Sequence, residues 1–330
     1  MKQEELTNAQ KSRKDFKVLS KYGIKYLDDC LLGILKNDLV LIGAESGKGK
    51  TELVNSIAIE CGKNNRVHMF SLEAEVDEPV HRELYKILSR KYFNDFQKPR
   101  YQNINYRGFL AGEIDFSKYE DEATDNEMYE KFKNINVSYR KDRFAVSDLT
   151  RAIGEIKDEC DVIIIDHVDY FDFDNESETN KNMTELMKEI RRINMVYGIA
   201  IIAISHLRKK GDYKQKIPMI EDFIGSGNKY KQVKTAILFG SNYDDTNYAE
   251  GLFGTYMYVA KTRLGANSNI VASLIFDSKT NSYKEDYRLN RTKQGGREIE
   301  EMLKSDYPYW AKPKENPVDF NEMHEEKLPF

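Results

Sequence analysis

The sequence predicts an α/β fold in which a mainly parallel central sheet carries helices on both faces and continues into an antiparallel C-terminal extension. Three observations favour this fold: short apolar runs alternate with amphipathic stretches, a glycine-rich loop joins one run to a helix, and two late strands follow each other across a short loop. Alternating strands and helices indicate parallel pairing, because each crossover helix packs back onto the sheet. Two strands joined by a short loop pair antiparallel.

The elements follow from the type of apolar pattern that each segment shows. Strands buried on both faces are continuous aliphatic runs, whereas helices repeat apolar residues every three or four positions. The predicted strands are 39–42, 66–72, 135–139, 161–166, 199–205, 235–239, 256–263 and 269–276. The predicted helices are 52–59, 78–92, a helix capped by Ser147 that runs to 160, and 178–196. Residues 94–133 are predicted to be irregular, with a short helix near 126–133.

Composition limits the kinds of protein that this chain can be. Its 330 residues are 40% hydrophobic and 32% charged, as in globular proteins, and no apolar run approaches the roughly 20 residues that span a bilayer. Three widely spaced cysteines (Cys30, Cys61 and Cys160) argue for a reducing compartment and against a disulfide framework or a zinc module. The net charge of −4 excludes a global basic field, so nucleic-acid binding requires a local patch.

A phosphate-binding loop lies between the strand 39–42 and the helix 52–59. Its glycines let backbone N–H groups point at phosphate oxygens, and the helix N-terminus adds the positive end of its dipole. Lys50 is placed to reach the β- and γ-phosphates and Thr51 to ligate Mg²⁺. The pattern usually begins with a glycine, where this chain has an alanine. The predicted nucleotide-binding residues are Ala44, Glu45, Ser46, Gly47, Lys48, Gly49, Lys50 and Thr51.

Hydrolysis of a nucleoside triphosphate requires a carboxylate for Mg²⁺ and a second group for the attacking water. Asp166 ends a buried apolar run, at the strand end where ligands bind in open α/β sheets, so we predict that it binds Mg²⁺. His167 follows it, and an imidazole is not an anionic base. Glu73, at the end of the second strand, is therefore the candidate for the catalytic carboxylate, and Glu75 is the alternative.

Six motifs in order and spacing resemble the RecA-type motor domain of DnaB-like, superfamily 4, hexameric replicative helicases. The resemblance covers residues 22–285, and its Asp-His and Ser-His-Leu variants are most similar to phage primase-helicases. The motifs are Ala-x-x-x-x-Gly-Lys-Thr at 44–51, Ser71-Leu72-Glu73, Ile165-Asp166-His167, Ile204-Ser205-His206-Leu207, Gly225-Ser226-Gly227 and Lys261-Thr262-Arg263.

The resemblance implies roles for matching residues in an ATP site with Mg²⁺. Glu73 matches the catalytic glutamate and His206 the sensor of the γ-phosphate. Lys261 and Arg263 match a finger pair that reaches the nucleotide of the neighbouring subunit, where an Arg fork stabilises charge on the transferring phosphoryl group. Phe276 matches an aromatic residue that packs against adenine. The arginine that the family usually places on the other face of adenine is missing near 241–243.

The resemblance also implies contacts with single-stranded DNA. The segment around residues 225–227 matches the loop that lines the central channel, where glycines allow backbone N–H groups to hold phosphates without reading sequence. Ile224 stands where an arginine is common. For the basic loop that begins at Arg208, a solvated surface loop is an equal alternative. The predicted DNA-binding residues are Arg208, Gly225, Ser226, Gly227 and Lys229.

The sequence therefore predicts an ATP-dependent DNA helicase motor that acts in replication as a ring, expected to be a homohexamer. We expect an arm or linker at 1–20, the motor domain at 21–288 and a loosely held tail at 289–330, in a cytoplasmic protein of a bacterial cell or a phage-infected host, with no membrane contact. Priming or loading would come from a separate primase or loader. Two alternatives share the core: a RecA-like recombination or strand-annealing ATPase, and a non-unwinding ATP-binding regulator of a helicase.

Overall fold

The computed structural model describes most of the chain between Val18 and Lys312. The described residues are 18–45, 47–73, 75, 77–95, 104–139, 142–173, 179–208, 217–223, 229–263, 269–293 and 296–312. Four predicted site residues lie outside these ranges, namely Ser46, Gly225, Ser226 and Gly227. No helix within the described ranges is long and apolar enough to cross a membrane.

The centre of the molecule is a parallel sheet with the order β8-β3-β7-β6-β4-β5. Its three inner strands β3, β6 and β7 are aliphatic runs, because helices cover both faces there. Each strand that the sequence predicts for this region is present. The strands are β3 (Leu39–Ala44), β4 (Val67–Ser71), β5 (Ile135–Tyr139), β6 (Val162–Asp166), β7 (Ala200–His206) and β8 (Thr235–Asn247).

An antiparallel extension continues the sheet beyond β8 in the order β9-β10-β12-β13, with β11 paired to β10. The predicted pairing of the two late strands is confirmed, since Val271 of β10 lies opposite Tyr258 of β9. The strands are β9 (Leu252–Lys261), β10 (Ile270–Asp277), β11 (Ser282–Tyr283), β12 (Arg288–Thr292) and β13 (Ile299–Glu301). A separate two-stranded sheet pairs β1 (Val18–Ser20) with β2 (Ile34–Leu35).

Helices cover both faces of the sheet. Alternate residues of β3 point to opposite sides, so Val40 and Ile42 join the core under α1 and α2, whereas Leu39 and Leu41 join the core under α6 and α7. The helices are α1 (Lys25–Leu31), α2 (Lys50–Gly62), α3 (Glu78–Asn94), α4 (Tyr106–Leu110), α5 (Glu122–Phe132), α6 (Val146–Ile156), α7 (Thr179–Tyr197) and α8 (Lys229–Gln232). The predicted α/β fold is confirmed.

The described part of the segment between α3 and β5, residues 104–133, contains more regular structure than the sequence predicted. It contains α4, a 3-10 turn at Ser117–Tyr119 and α5, rather than irregular chain with one short helix. Aromatic side chains explain the difference: Phe116 and Tyr119 pack edge-on against Tyr92 of α3 in a small separate core. This contact between residues distant in sequence leaves no periodic signal along the chain.

Two further sequence expectations are wrong. The tail does not begin at 289, because β12 starts at Arg288, Leu289 is fully buried, and Trp310 packs 6.1 Å from the Tyr26 ring. Ser147 does not cap α6 but is its second residue. Asp148 serves the helix end instead, since its carboxylate accepts a 2.9 Å hydrogen bond from the backbone N–H of Ala145, the residue before the helix.

Candidate active site

The phosphate loop joins the end of β3 to the start of α2. Gly47 and Gly49 have φ values of +75° and +83°, and the position of a Cβ on either faces open space within 4 Å. Only glycine adopts these angles without strain, so the loop conformation depends on both residues. Lys50 is buried, and its Nζ donates a 2.9 Å hydrogen bond to the carbonyl oxygen of Glu45. This hydrogen bond to a loop carbonyl fixes the position of the lysine ammonium beside the loop.

Sheet register brings the other candidate groups to the same edge. Ala44, the last residue of β3, lies opposite His206 of β7, and Ser71 of β4 lies opposite Asp166 of β6. All four strands are parallel, so their carboxyl ends open onto the phosphate loop together. The sequence predicted each of these strand ends to within two residues, but the strand order that makes them neighbours is a property of the fold.

Acidic and imidazole groups form a cluster beside Asp166. His167 is fully buried, with its Nε2 2.7 Å from Oε2 of Glu73 and 3.0 Å from Oδ1 of Asp166. The ring of His206 stacks on that of His167 at 4.3 Å, and its Nε2 lies 3.9 Å from the same Glu73 oxygen. The Tyr170 hydroxyl donates a 3.0 Å hydrogen bond to the other oxygen of Glu73. The cluster therefore fixes this carboxylate at the mouth of the site.

The competitor acid has different surroundings. Glu75 is exposed, and its backbone carbonyl oxygen accepts a hydrogen bond from Glu78 ahead of α3. Glu73, in contrast, contacts His167, which lies beside Asp166. The geometry therefore favours Glu73 over Glu75 as the group that handles the attacking water.

The donor set at the carboxyl edge fits Mg²⁺. Both carboxylate oxygens of Asp166 are buried and have no hydrogen-bond donor among the described residues, since the nearby His167 nitrogen is not aligned to donate to them. The Ser71 hydroxyl on the neighbouring strand is also buried and has no hydrogen-bond partner there. Buried polar atoms in this state call for a cation or ordered water. Thr51 is half-buried in the first turn of α2, next to Lys50. Oxygen donors of this kind suit Mg²⁺, which keeps several waters and takes few protein ligands.

Electrostatics at the edge are dominated by burial. Burial lowers the pKa of the Lys50 ammonium, while the Glu73 and Asp166 carboxylates oppose that shift. Burial also lowers the pKa of His206, and the neighbouring His167 and Lys50 lower it further. A neutral His206 at physiological pH presents one N–H donor and one nitrogen acceptor. Such a ring can hydrogen-bond a phosphate oxygen without adding a charge.

A cavity of about 450 Å³ extends from the phosphate loop to the antiparallel strands. Phe276 lines it from β10, and Tyr243 lines it from β8. The Tyr243 hydroxyl lies 3.2 Å from Nζ of Lys48, which also sits over its ring. They are two of the five aromatic residues in the described lining, with Tyr248, Phe253 and Tyr283, and Tyr243 lies in the segment where the sequence lacks the family's usual arginine. The cavity has the size and lining of a site for a nucleotide base.

Lys261 and Arg263 lie away from this edge. Lys261 pairs with Ala236 near the start of β8, and Thr235 at that start pairs with Val40 of β3. The phosphate loop leaves the opposite end of β3, so the two groups are at opposite edges of the sheet. Nζ of Lys261 donates a 2.7 Å hydrogen bond to the carbonyl oxygen of Tyr230, and Arg263 is exposed.

One predicted DNA-binding residue is corrected by the structure. Lys229 is fully buried, and its ammonium forms an ion pair with Asp169 and a 3.0 Å hydrogen bond with the Ser205 hydroxyl. A lysine held in this way does not present its charge to a DNA strand. Arg208 is exposed, and its backbone N–H donates to the carbonyl oxygen of Asp222.

Sequence reasoning missed Tyr170 and Asp169, and it named His167 and Ser205 only as motif residues, without their contacts in this cluster. Asp169 accepts a 2.6 Å hydrogen bond from the backbone N–H of His206. A signal was available, because an acid and a tyrosine follow the Asp-His pair within four residues. Its meaning depends on the 3-10 turn at Val168–Tyr170, which points them back to the site.

Comparison with known proteins agrees with this geometry. The sequence model described as DnaB-like helicase C terminal domain matches residues 20–285. Among curated proteins, a DNA helicase/primase of Enterobacteria phage T3 is 24% identical over 217 residues, covering 62% of this chain and 35% of that protein. The replicative DNA helicase DnaB of Helicobacter pylori is 24% identical over 211 residues, covering 62% and 40%. The matched region is thus well under half the length of either relative.

Solved structures share the fold. A structure whose title describes an ATPase domain has a TM-score of 0.66 and 19% identity, and the match covers 85% of this chain and 96% of that one. A structure titled as a DnaB-like replicative helicase and its interactions with primase has the same score and identity, with coverage of 86% and 66%.

Proposed function

This chain belongs to the family of DnaB-like helicase C-terminal domains, and from that premise we propose that it is an ATP-hydrolysing motor that translocates on single-stranded DNA. The observation that carries the proposal is the convergence of Lys50, Asp166, Glu73 and His206 at one edge of the sheet, around a formed phosphate loop. Replication of bacterial or phage DNA in the cytoplasm is the role that we propose for it.

Each group has a chemical task in the proposed reaction. The loop N–H groups and Lys50 hold the β- and γ-phosphates. Glu73 orients and deprotonates the attacking water, and its contact with His167 keeps the carboxylate in place. His206 hydrogen-bonds the γ-phosphate while it is present and loses that contact after hydrolysis. Phe276 and Tyr243 pack against the base.

Mg²⁺ is part of the proposal, with Thr51 and Asp166 as its protein ligands. When bound, the ion offsets the charge that develops on the phosphate oxygens. The two Asp166 oxygens support this assignment, because they find no hydrogen-bond donor within the described ranges, and a buried carboxylate in that state is costly unless a cation or water satisfies it.

We further propose that the active site is completed by a second copy of the chain in a homohexameric ring. Lys261 and Arg263 lie at the edge opposite the phosphate loop, where they cannot serve the ATP of their own subunit. In a ring, the same residues would reach the nucleotide of the neighbour and stabilise its transition state. The segment at 225–227 is proposed to face the DNA in the channel, and a primase or loader would act as a separate partner.

The test is ATP hydrolysis and strand displacement by the purified chain. We expect hydrolysis that single-stranded DNA stimulates, and unwinding of forks that carry a 5′ single-stranded tail. Hydrolysis with unwinding from 3′ tails alone would contradict the mechanism. Electron microscopy with a non-hydrolysable ATP analogue and single-stranded DNA separates the alternatives: a six-fold ring supports the motor, and a filament supports a recombinase.

A further inference from the structure

The four-residue helix α8 touches both functional edges of the sheet. Its first residue, Lys229, reaches the carboxyl edge, where His206 lies. Its second residue, Tyr230, contacts Lys261 at the opposite edge. One short helix is thus linked through Asp169 to the proposed γ-phosphate sensor of its own subunit, and it contacts the residue proposed to serve the neighbour directly.

The joint with the sensor is buried and ionic. Lys229 has no exposed surface, and its ammonium pairs with Oδ1 of Asp169 and donates to the hydroxyl of Ser205, the residue before the sensor. Oδ2 of the same aspartate accepts the backbone N–H of His206 at 2.6 Å. A single carboxylate therefore holds the sensor with one oxygen and α8 with the other.

The joint with the finger residue is a backbone contact. Nζ of Lys261 donates to the carbonyl oxygen of Tyr230 at 2.7 Å and to that of Lys231 at 3.4 Å, and it sits 5.6 Å from the centre of the Tyr230 ring. These carbonyls belong to the middle residues of α8. The position of the lysine at the strand end is thus set by the position of the helix.

We propose that Asp169, Lys229 and α8 form a relay that transmits the nucleotide state sensed by His206 to Lys261 of the same subunit. This inference rests on the proposed function, because it takes the sensor and finger roles from there. Asp169 and Lys229 are positioning residues in it, since neither touches the nucleotide. The relay makes the readiness of a subunit to serve its neighbour depend on the nucleotide that it holds itself.

Physical reasons favour transmission through this path. A buried ion pair resists separation, because pulling the partners apart leaves each charge without solvent or counter-charge. A shift of the His206 backbone must therefore carry Asp169, Lys229 and the helix together. Packed interiors transmit such shifts rather than absorb them, since they contain little free volume.

The first test needs no substitution. Hydrogen exchange of the intact chain is measured without nucleotide, with ADP and with a non-hydrolysable ATP analogue, following peptides that cover residues 229–234 and 257–263. We expect protection of both peptides to differ about fivefold or more between ADP and the analogue, in the range of ordinary allosteric coupling. Equal exchange in all three states would overturn the relay.

The second test removes the joint. Lys229→Met should abolish the nucleotide-dependent change in the 257–263 peptide, whereas Lys229→Arg, which keeps the charge, should retain it. Lys231→Met is the matched control, because its side chain is exposed on the same helix; it should behave as the wild type. If Lys229→Met does not fold, Asp169→Asn replaces it, since Asn keeps an acceptor for the His206 N–H. A change that persists in the Met or Asn variant would overturn the relay.

The readouts separate this inference from the proposed function. A chain that binds the ATP analogue and shows the nucleotide-dependent exchange, but neither hydrolyses ATP with DNA nor unwinds forks, would support the relay and contradict the motor. Normal unwinding with equal exchange in the three states would do the reverse. Loss of the exchange difference together with loss of analogue binding in Lys229→Met would indicate a structural role and would also overturn the relay.

Discussion

The two edges of the sheet, where the strands end and where they begin, differ in how far one chain alone orients their candidate functional groups. At the carboxyl edge, Lys50, Glu73 and His206 already have partners that orient them, through contacts of 2.6–2.9 Å made by each residue or its backbone. At the opposite edge, Lys261 is tied to its own subunit and Arg263 is exposed. One edge is a preformed site, and the other presents basic groups far from the phosphate loop of its own chain. The difference supports the proposal that folding builds the catalytic geometry at the first edge and that assembly would complete it at the second.

The largest effect should come from breaking the preformed edge. Lys50→Ala removes the buried ammonium that we propose holds the phosphates, and we expect ATP hydrolysis to fall by about 10³-fold or more. Lys63→Ala, an exposed lysine at the far end of the same helix, is the control and should leave turnover unchanged. Turnover is measured as phosphate release. Near-normal release by Lys50→Ala would refute the site.

Arg263→Ala breaks the other edge and should also lower hydrolysis by about 10³-fold, as the loss of an arginine finger does. Its distinctive property is rescue. Subunits with Arg263→Ala, mixed with subunits that carry Glu73→Gln, should recover hydrolysis, because some interfaces then combine an intact acid with an intact arginine. If mixed assemblies of two inactive variants stay inactive, the shared site is wrong.

Glu73→Gln sharpens the comparison within the preformed edge. It keeps the size and the contact with Tyr170 but loses the base, so hydrolysis should fall by about 10²-fold while ATP binding stays. Glu75→Gln is the matched control at the exposed acid two residues on, and should hydrolyse normally. Equal losses in the two variants would mean that the cluster around His167 does not select the acid.

The smallest expected effect is a dependence of stability on pH. Burial lowers the pKa of His206 and of His68, so the unfolded chain takes up protons below about pH 6.5 more readily than the folded chain. The free energy of unfolding should therefore fall as the pH drops below that value, by at most about 1.4 kcal/mol per pH unit for each histidine. Denaturant titration measures it. His68→Gln should flatten the slope, whereas the exposed His81→Gln should not.

Much of the fold was predictable because local pattern and global position agree in it. Aliphatic runs such as Val162–Ile165 carry no polar face and so exclude a surface helix. The closely spaced glycines between a strand and a helix are typical of a phosphate-binding loop. The small aromatic core around Phe116 was not predictable, since its partners on α3 lie more than twenty residues away. The strands at the C-terminal end of the sheet were also missed, because short polar strands such as β13 show no alternation of apolar and polar residues.

Within the site, residue types and strand ends could be predicted, but mutual contacts could not. Asp166, Glu73 and His206 each follow an apolar run, and parallel topology brings such positions together. The burial of Lys229 could not be predicted from the residues around it in the sequence, because a lysine in a basic stretch is usually solvated. Only the position of Asp169, set by the turn after β6, shows that this charge is neutralised inside the protein.

The late strands carry a practical consequence for anyone who shortens this chain. A fragment that stops at 288, where the family match has already ended, would lack nearly all of β12 and the whole of β13. The border of β10 that faces β12 would then lose its backbone partners along Ile270–Ala272. Open strand borders of this kind recruit other strands and lead to aggregation. Fragments for crystallography or biochemistry should therefore extend at least to Lys312.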